Sequence, residues 1–324
     1  MDVLIADAVE PEVLSWLAAR HSVHSDPALA RDPAAFRRQL PQARAVIVPA
    51  SLALDAQALR RAPELRCIGR LGPSVDNIDL AECSTRGIEI VRPSSASTVA
   101  EAEFAVGALL QMLRRVPVIS PDGLLVGREL NGSMVGIIGM TATARPLTEL
   151  LRAFGSRVVG YDPGLHATDT LWARWNVAAV GLRELVEQCD AVVVLLNYFS
   201  RYRGLLGERY LLACKPDQVL VNLSSALILE DSALAEALSS GRMAAAWLDS
   251  IDPGLTRPGR PLHQIDSLQI TPCVASTTLQ AHLRASWDVA RRLDEVLAEG
   301  PRPTPFRSAR PAARTGYSGG PVPG

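Results

Sequence analysis

The residues with the clearest chemical pattern lie between Val135 and Pro163. Gly139, Thr141 and Ala144 occupy the first, third and sixth positions of a turn between an apolar strand and a helix, and Asp162 ends the strand that follows. In a glycine-rich turn of this spacing, the backbone approaches a pyrophosphate, and the acid after the second strand binds ribose hydroxyls. The pattern therefore predicts a dinucleotide-binding strand–helix–strand unit.

Two residues weaken this prediction at the phosphate. The middle position of the turn holds Thr141, whose branched Cβ takes the place of a glycine hydrogen. Pro146 is favoured in the first turn of a helix, so we expect the helix to start late and hold its amides away from a phosphate. We predict weak or absent binding of NAD(H) or NADP(H), unless the hydroxyls of Thr141 and Thr143 compensate. Asp162 is either a ribose ligand or a structural relic or cap.

The elements that position this turn follow from apolar periodicity. A buried strand is predicted at Val135–Ile138, a helix at 147–154, and a second strand beginning at Val158. Further short apolar strands alternate with helical patterns before and after this unit. They are predicted at 3–6, 45–49, 66–71, 87–91, 191–196, 219–222, 244–248 and 268–271. Such alternation is typical of parallel sheets covered by helices, hence an α/β fold.

Composition excludes several classes of protein. The 324 residues are 48% hydrophobic and 21% charged, with a net charge of −1 and no block of like charges, so we expect no nucleic-acid partner. No apolar run approaches the length of a membrane span, and a strand directly after Met1 predicts no signal peptide. Five scattered cysteines match no metal site and no disulfide framework. We expect a cytoplasmic protein without a metal.

Several segments, in a consistent order, resemble the NAD-dependent D-2-hydroxyacid dehydrogenase family over about residues 3–300. They include IGRLGPSVDNIDL (68–80), GIEIVRP (87–93), VAEAEFAVGALLQMLRR (99–115), ELNGSMVGIIGM (129–140), CDAVVVLL (189–196), KPDQVLVN (215–222), EDSALAEALSSGRM (230–243) and TPCVASTT (271–278). The resemblance implies two doubly wound parallel α/β domains, a flavodoxin-like substrate domain and a Rossmann nucleotide-binding domain.

The same resemblance implies the domain limits. Residues 1–98 and 280–300 would form the substrate domain, and residues 99–279 the nucleotide-binding domain. Residues 301–324 are rich in Pro, Gly, Ser and Arg, which is typical of a tail that packs no core. The family resemblance also favours a homodimer, although the segment that would form its dimer arm, between Arg115 and Glu129, looks short.

The family's reaction needs an arginine for the substrate carboxylate, a histidine as acid/base and a glutamate that orients the histidine. By the resemblance, the arginine's place, three residues after Asn222, holds Ser225, and the histidine's place after Thr-Pro holds Cys273. Asp252 is the nearest equivalent of the glutamate, in a segment shorter by about two residues. A thiol does not replace an imidazole near neutral pH, and a serine offers one neutral hydrogen bond.

The family's glycine-rich carboxylate loop corresponds to residues 72–77. Ser74 and Asn77 could bind a substrate there, and Arg70 could lend positive charge. We therefore expect a repurposed family member that binds or transforms a small polar or anionic metabolite without ordinary hydride transfer. Two alternatives stay open at this stage: a weakened NAD(P)-dependent 2-oxoacid reductase, and a non-catalytic binding or scaffold protein.

Overall fold

The structure is a computed structural model that describes residues 1–72, 74–93, 95–115, 118–250, 252 and 254–299. The chain divides into two compact units. The first unit contains Met1–Arg70, Ser74–Val91 and the chain from Ala290 onward; the second contains Leu71–Pro73 and Arg92–Val289. The predicted tail, 301–324, lies outside the described residues.

The first unit is built on a five-stranded parallel sheet. Its strands are β1 (Val3–Ile5), β2 (Val23–Ser25), β3 (Ala45–Ile47), β4 (Cys67–Gly69) and β5 (Glu89–Val91), and its helices include α1 (Pro11–Ala18), α2 (Pro33–Gln39), α3 (Ala56–Arg60) and α4 (Leu80–Arg86). The strand order is β2-β1-β3-β4-β5. This is the flavodoxin-like order, so the predicted fold is confirmed for this unit.

The second unit contains a seven-stranded parallel sheet. Its elements are α5 (Thr98–Arg115), β6 (Val118–Ile119), β7 (Leu125–Val126), β8 (Met134–Ile138), α6 (Ala144–Ala153), β9 (Arg157–Tyr161), α7 (Thr170–Trp175), β10 (Ala178–Ala179), α8 (Leu182–Gln188), β11 (Ala191–Val194), α9 (Glu208–Leu211), β12 (Gln218–Asn222), α10 (Asp231–Ser239), β13 (Met243–Asp249), β14 (Leu268–Thr271) and α11 (Leu279–Ala298). The last helix continues into the first unit at Ala290.

The order β10-β9-β8-β11-β12-β13-β14 is that of a Rossmann sheet. The predicted central strand is confirmed: Val135, Ile137 and Ile138 are fully buried, and β8 pairs in parallel with β9 and β11. Strand order reverses between β8 and β11, and ligands of doubly wound sheets bind beside such a reversal, outside the carboxyl ends of the strands.

Three short pieces of sheet were not predicted. β2 consists of Val23, His24 and Ser25 at a sheet edge, and β10 consists of two alanines. β6 and β7 form a hairpin with two residues in each strand. None carries a long apolar run, because edge strands are covered on fewer sides than central ones. Periodicity consequently detects the centre of each sheet better than its edges.

Candidate active site

The predicted site residues of the second unit lie in loops at one edge of its sheet. All strands of this sheet run parallel, so their carboxyl ends meet at a common edge. Gly139 follows β8, Asp162 follows β9, and Ser225, Asp252 and Cys273 follow the adjacent strands β12, β13 and β14. The topology thus gathers the predicted nucleotide turn and the predicted catalytic positions at this edge.

Gly139 is required by the backbone of the turn. Its φ is +99°, and a Cβ at this residue would lie 2.5 Å from both the nitrogen and the Cα of Leu196. Its N–H donates to the carbonyl of Tyr161 over 2.8 Å. The glycine therefore allows the loop after β8 to pass directly against the chain that leaves β11.

Helix α6 does not start late, so that expectation was wrong. It begins at Ala144, and Pro146 occupies its third residue, within the first turn. The Ala144 N–H already donates to the carbonyl of Thr141 over 2.9 Å, and Pro146 has no N–H. Of the first three residues of α6, this leaves the backbone N–H of Arg145 for a phosphate. Ala144 is fully buried, as helix–strand packing at this position requires.

A polar contact between α5 and the turn fixes the start of α6. The Thr143 hydroxyl donates to Glu101 Oε2 over 2.5 Å, and the Ser97 hydroxyl donates to Glu101 Oε1 over 2.8 Å. Thr143 is buried. Its donor is consequently committed to Glu101, which argues against the predicted compensation by the Thr143 hydroxyl at a phosphate.

Asp162 holds the turn through both carboxylate oxygens. Oδ2 accepts from the Met140 N–H over 2.8 Å, and Oδ1 accepts from the Gly164 N–H over 2.7 Å. These bonds give Asp162 a structural role in the turn. A carboxylate has further lone pairs, so ribose recognition remains a prediction.

Two of the three predicted catalytic positions, Ser225 and Asp252, bond within their own loops. Ser225 is half-buried, and its Oγ accepts from the Leu227 N–H over 3.3 Å, which caps a short helical turn at Ala226–Ile228. Asp252 is exposed, and its Oδ1 accepts from the Gly254 N–H over 2.8 Å. Both side chains thus behave as local turn residues.

Cys273 adopts a left-handed backbone conformation with φ +52°. Its Sγ lies 3.8 Å from the carbonyl of Asp249, and its N–H donates to the carbonyl of Thr271 over 3.0 Å. None of the five cysteines forms a disulfide, and Cys273 alone among them is not fully buried. Burial raises the pKa of the Cys67 and Cys189 thiols to about 12.

Asp249 organises the loop around Cys273 and was not among the predicted site residues. Its buried carboxylate accepts from the Thr271 hydroxyl over 2.6 Å and from the N–H groups of Val274 and Ala275 over 2.9 Å each. A carboxylate at the end of a buried strand was the only sequence signal for this role. Charge-assisted bonds of this kind hold a loop firmly.

The predicted substrate residues of the first unit bond to other protein groups of that unit. Arg70 is buried, donates from Nε to the carbonyl of Ser74 over 3.1 Å, and donates from Nη1 to the carbonyl of Val48. Burial lowers the pKa of its guanidinium. The Ser74 hydroxyl donates to Asp76, and Asn77 Nδ2 donates to the carbonyls of Pro49 and Leu52. Substrate binding by these residues remains a prediction.

Two kinds of feature are absent from the described residues. These residues contain no group of three or more His, Cys, Asp or Glu side chains placed to hold a metal ion. No helix among them combines the length and the apolar character that crossing a bilayer requires.

Comparison with known proteins places the chain in a family. Residues 110–275 match the profile of the D-isomer specific 2-hydroxyacid dehydrogenase, NAD binding domain. The (S)-sulfolactate dehydrogenase of Chromohalobacter salexigens is 30% identical over 295 residues, which cover 88% of this chain and 95% of that enzyme.

Two further relatives agree. The D-3-phosphoglycerate dehydrogenase of Mycobacterium tuberculosis is 28% identical over 306 residues, which cover 91% of this chain but 57% of the length of that enzyme. A solved structure from Thermus thermophilus is 26% identical, with a TM-score of 0.73 over 92% of this chain and 97% of that one. The two-unit fold, the glycine turn and these matches together show that the chain belongs to the D-isomer specific 2-hydroxyacid dehydrogenase family.

Proposed function

We propose that this protein binds a small anionic metabolite at the carboxyl edge of its seven-stranded sheet and does not carry out the ordinary hydride transfer of its family. One observation carries the proposal. At the positions where the resemblance implies an arginine and a glutamate, the side chains of Ser225 and Asp252 bond within their own loops. At the histidine's position, the Cys273 thiol contacts the Asp249 carbonyl at the end of β13.

The substitution of the arginine removes most of the expected hold on a carboxylate. A guanidinium gives two parallel charge-assisted hydrogen bonds to a carboxylate. The Ser225 hydroxyl can donate one neutral bond, while its oxygen already accepts from the backbone of Leu227. This position therefore supports binding of a ligand more readily than alignment of a transition state.

The acid/base position supports the same conclusion. Imidazole exchanges a proton near neutral pH, whereas an ordinary thiol does so at a higher pH. A free cysteine more often behaves as a small apolar side chain. Asp252, which would stand for the orienting glutamate, is exposed and bound to the Gly254 N–H. These groups could still assist a non-redox step, but their present contacts favour binding.

The nucleotide turn supports weak binding of NAD(H) or NADP(H). Thr141 carries a Cβ where the backbone would approach a pyrophosphate. The Thr143 donor is held by Glu101, and Pro146 removes one amide from the start of α6. The relatives' names indicate the ligand class, since sulfolactate and 3-phosphoglycerate are both small anionic 2-hydroxy acids.

A Thr141→Gly substitution is expected to strengthen NADH binding by about ten-fold or more, equivalent to roughly 1.4 kcal/mol. The reason is that glycine reopens the approach of the pyrophosphate to the turn. Calorimetric titration of NADH and NADPH into wild type and variant measures the change. Ala142→Gly is the matched control, because it adds equal flexibility at an exposed residue of the same turn.

Micromolar or tighter binding of NADH by the wild type would refute weak cofactor binding.

Mass spectrometry of small molecules released from the native protein tests the main proposal. A small anion without nicotinamide supports it, and a stoichiometric nicotinamide nucleotide contradicts it.

A weakened NAD(P)-dependent 2-oxoacid reductase is the second candidate. It is favoured by the preserved left-handed Gly139 and by Asp162, which reaches the turn at Met140. The turnover assay described in the Discussion separates the two candidates. The assignment of residues 1–98 and 280–300 to substrate binding and of 99–279 to nucleotide binding remains a proposal under either.

We also propose a homodimer, supported by the hairpin of β6 and β7. Ile119, Leu124 and Leu125 are 73%, 61% and 70% exposed on this hairpin, and a lone two-stranded hairpin is marginally stable in water. Leu125→Asp is expected to shift the protein from dimer to monomer in light scattering after gel filtration. Retention of the dimer by this variant, or a monomeric wild type, would remove the hairpin's role.

The compartment remains a proposal as well. Five cysteines without a disulfide support a reducing compartment, the cytoplasm. Cell fractionation with immunodetection checks this, and recovery outside the cytoplasmic fraction would contradict it.

A further inference from the structure

A second feature of the seven-stranded sheet lies at its amino-terminal edge, opposite the proposed active site. A cavity of about 270 Å³ opens there, beside the starts of β8 and β11. Its lining includes Arg128, Asn131, Ser133 and Asp190. No residue proposed above for the carboxyl edge takes part in this cavity.

Arg128 presents one edge of its guanidinium without a protein acceptor. Its Nε and Nη2 atoms are buried, and neither has a hydrogen-bond partner among the described residues. These two nitrogens lie on the same side of the planar group, and together they form the fork that binds two oxygens of one oxyanion. Burial lowers the pKa of Arg128, although a guanidinium stays charged at neutral pH.

The neighbouring carboxylates do not satisfy this fork. Asp190 Oδ1 lies 2.5 Å from Lys215 Nζ, and Asp190 Oδ2 accepts from the Met134 N–H over 2.8 Å. Glu129 is exposed, and its Oε1 lies 3.9 Å from an Arg114 nitrogen. The charges of Asp190 and Asp217 favour the charged form of Arg128 without bonding to its Nε or Nη2.

Buried donors without an acceptor are costly in free energy, and a charged donor more so. Ser133 does not help, since its hydroxyl donates to the carbonyl of Leu130 over 2.6 Å. Asn131 adds an exposed side-chain amide to the lining, which could supply a further donor. An oxyanion of two or more oxygens would satisfy both free nitrogens at once.

We propose that this cavity is an anion site, in which Nε and Nη2 of Arg128 bind a carboxylate or phosphate group of a small molecule. The site is distinct from the carboxyl-edge site and does not depend on the function proposed there. Because β8 and β11 begin at this cavity and end at the Gly139 turn, a bound anion would stabilise the two strands that carry that turn.

Calorimetric titration of phosphate, sulfate and acetate into the wild type, at constant ionic strength set with NaCl, tests the site. Arg128→Gln is expected to weaken binding at least ten-fold, and Arg128→Lys to weaken it less, because the charge remains while the fork is lost. Arg183→Gln is the matched control: it removes one charge from an exposed arginine that pairs with Glu187 on α8. It should bind like wild type.

The titrations with phosphate, sulfate and acetate distinguish a tetrahedral anion from a carboxylate as the ligand. Saturable phosphate and sulfate binding without acetate binding assigns a tetrahedral group, and the reverse assigns a carboxylate. Absence of saturable binding of all three by the wild type would overturn the proposal, and so would unchanged binding by Arg128→Gln. If Arg128→Gln does not fold, the wild type and Arg128→Lys decide the outcome. A loss of dimer in the Arg128 variants, with no anion bound by wild type, would make Arg128 an interface residue instead.

Discussion

The wild-type protein is expected to show negligible turnover of pyruvate, glyoxylate or hydroxypyruvate with NADH or NADPH. Oxidation or reduction at the 2-carbon needs a cation on the substrate carboxylate and a group that exchanges the hydroxyl proton. Ser225 and Cys273 stand at the positions implied for these roles and supply neither. Loss of a preorganised electrostatic contact costs roughly 10²–10³-fold in rate, and loss of general acid/base catalysis roughly 10²–10⁴-fold.

These factors do not multiply, because residues that act together lose their effect together. Even one of them would reduce the ~10 s⁻¹ typical of enzymes to a rate near or below 0.1 s⁻¹. Steady-state assays of the three oxoacids with both cofactors measure this. Wild-type turnover on the order of 10 s⁻¹ would refute the proposed function and favour the reductase.

The same assay is also run on a Ser225→Arg, Cys273→His double variant, which carries the two side chains that the resemblance implies. Ser225 has φ −58°, which any residue adopts, and histidine is among the residues that tolerate the left-handed conformation of Cys273. A Ser225→Ala, Cys273→Ala variant controls for the loss of both native side chains. Activity in the double variant alone would locate the deficit at these two positions. If no folded variant shows turnover, the deficit lies also at the nucleotide turn.

Gly139→Ala is expected to give the largest loss of stability among single substitutions of this unit's glycines. The left-handed conformation costs a non-glycine residue about 1–2 kcal/mol. The new Cβ would also lie 2.5 Å from backbone atoms of Leu196, so the chain must shift, which adds about 1–3 kcal/mol. We expect the free energy of unfolding to fall by about 2–5 kcal/mol in total.

Gly241→Ala is the matched control. Gly241 also has a positive φ, +71°, but a Cβ there would meet no atom within 4 Å. It should lose about 1–2 kcal/mol, from backbone strain alone. Urea unfolding followed by tryptophan fluorescence measures both, since Trp172, Trp175 and Trp247 lie in this unit. Equal losses in the two variants would mean that the contact with Leu196 is not close.

The sequence by itself determined the α/β class, most strands and the family. Central strands of parallel sheets are covered on both faces, so each appears as a continuous apolar run such as Val135–Ile138 or Ala191–Val194. Gly139 was also predictable, because a tight turn that opens a helix requires a residue that tolerates positive φ. These signals are local, and a single segment carries each of them.

Only the tertiary structure decided which polar groups form hydrogen bonds within the protein and are therefore not free for a ligand. The Thr143 donor is held by Glu101, 42 residues away, and the loop of Cys273 is held by Asp249, more than 20 residues away. The start of α6 at Ala144 follows from this anchoring and from the bond to Thr141, where proline preference alone suggested a later start. Arg128 gave no sequence signal at all. Whether a buried donor has an acceptor depends on which distant segments surround it, and sequence spacing does not encode that arrangement.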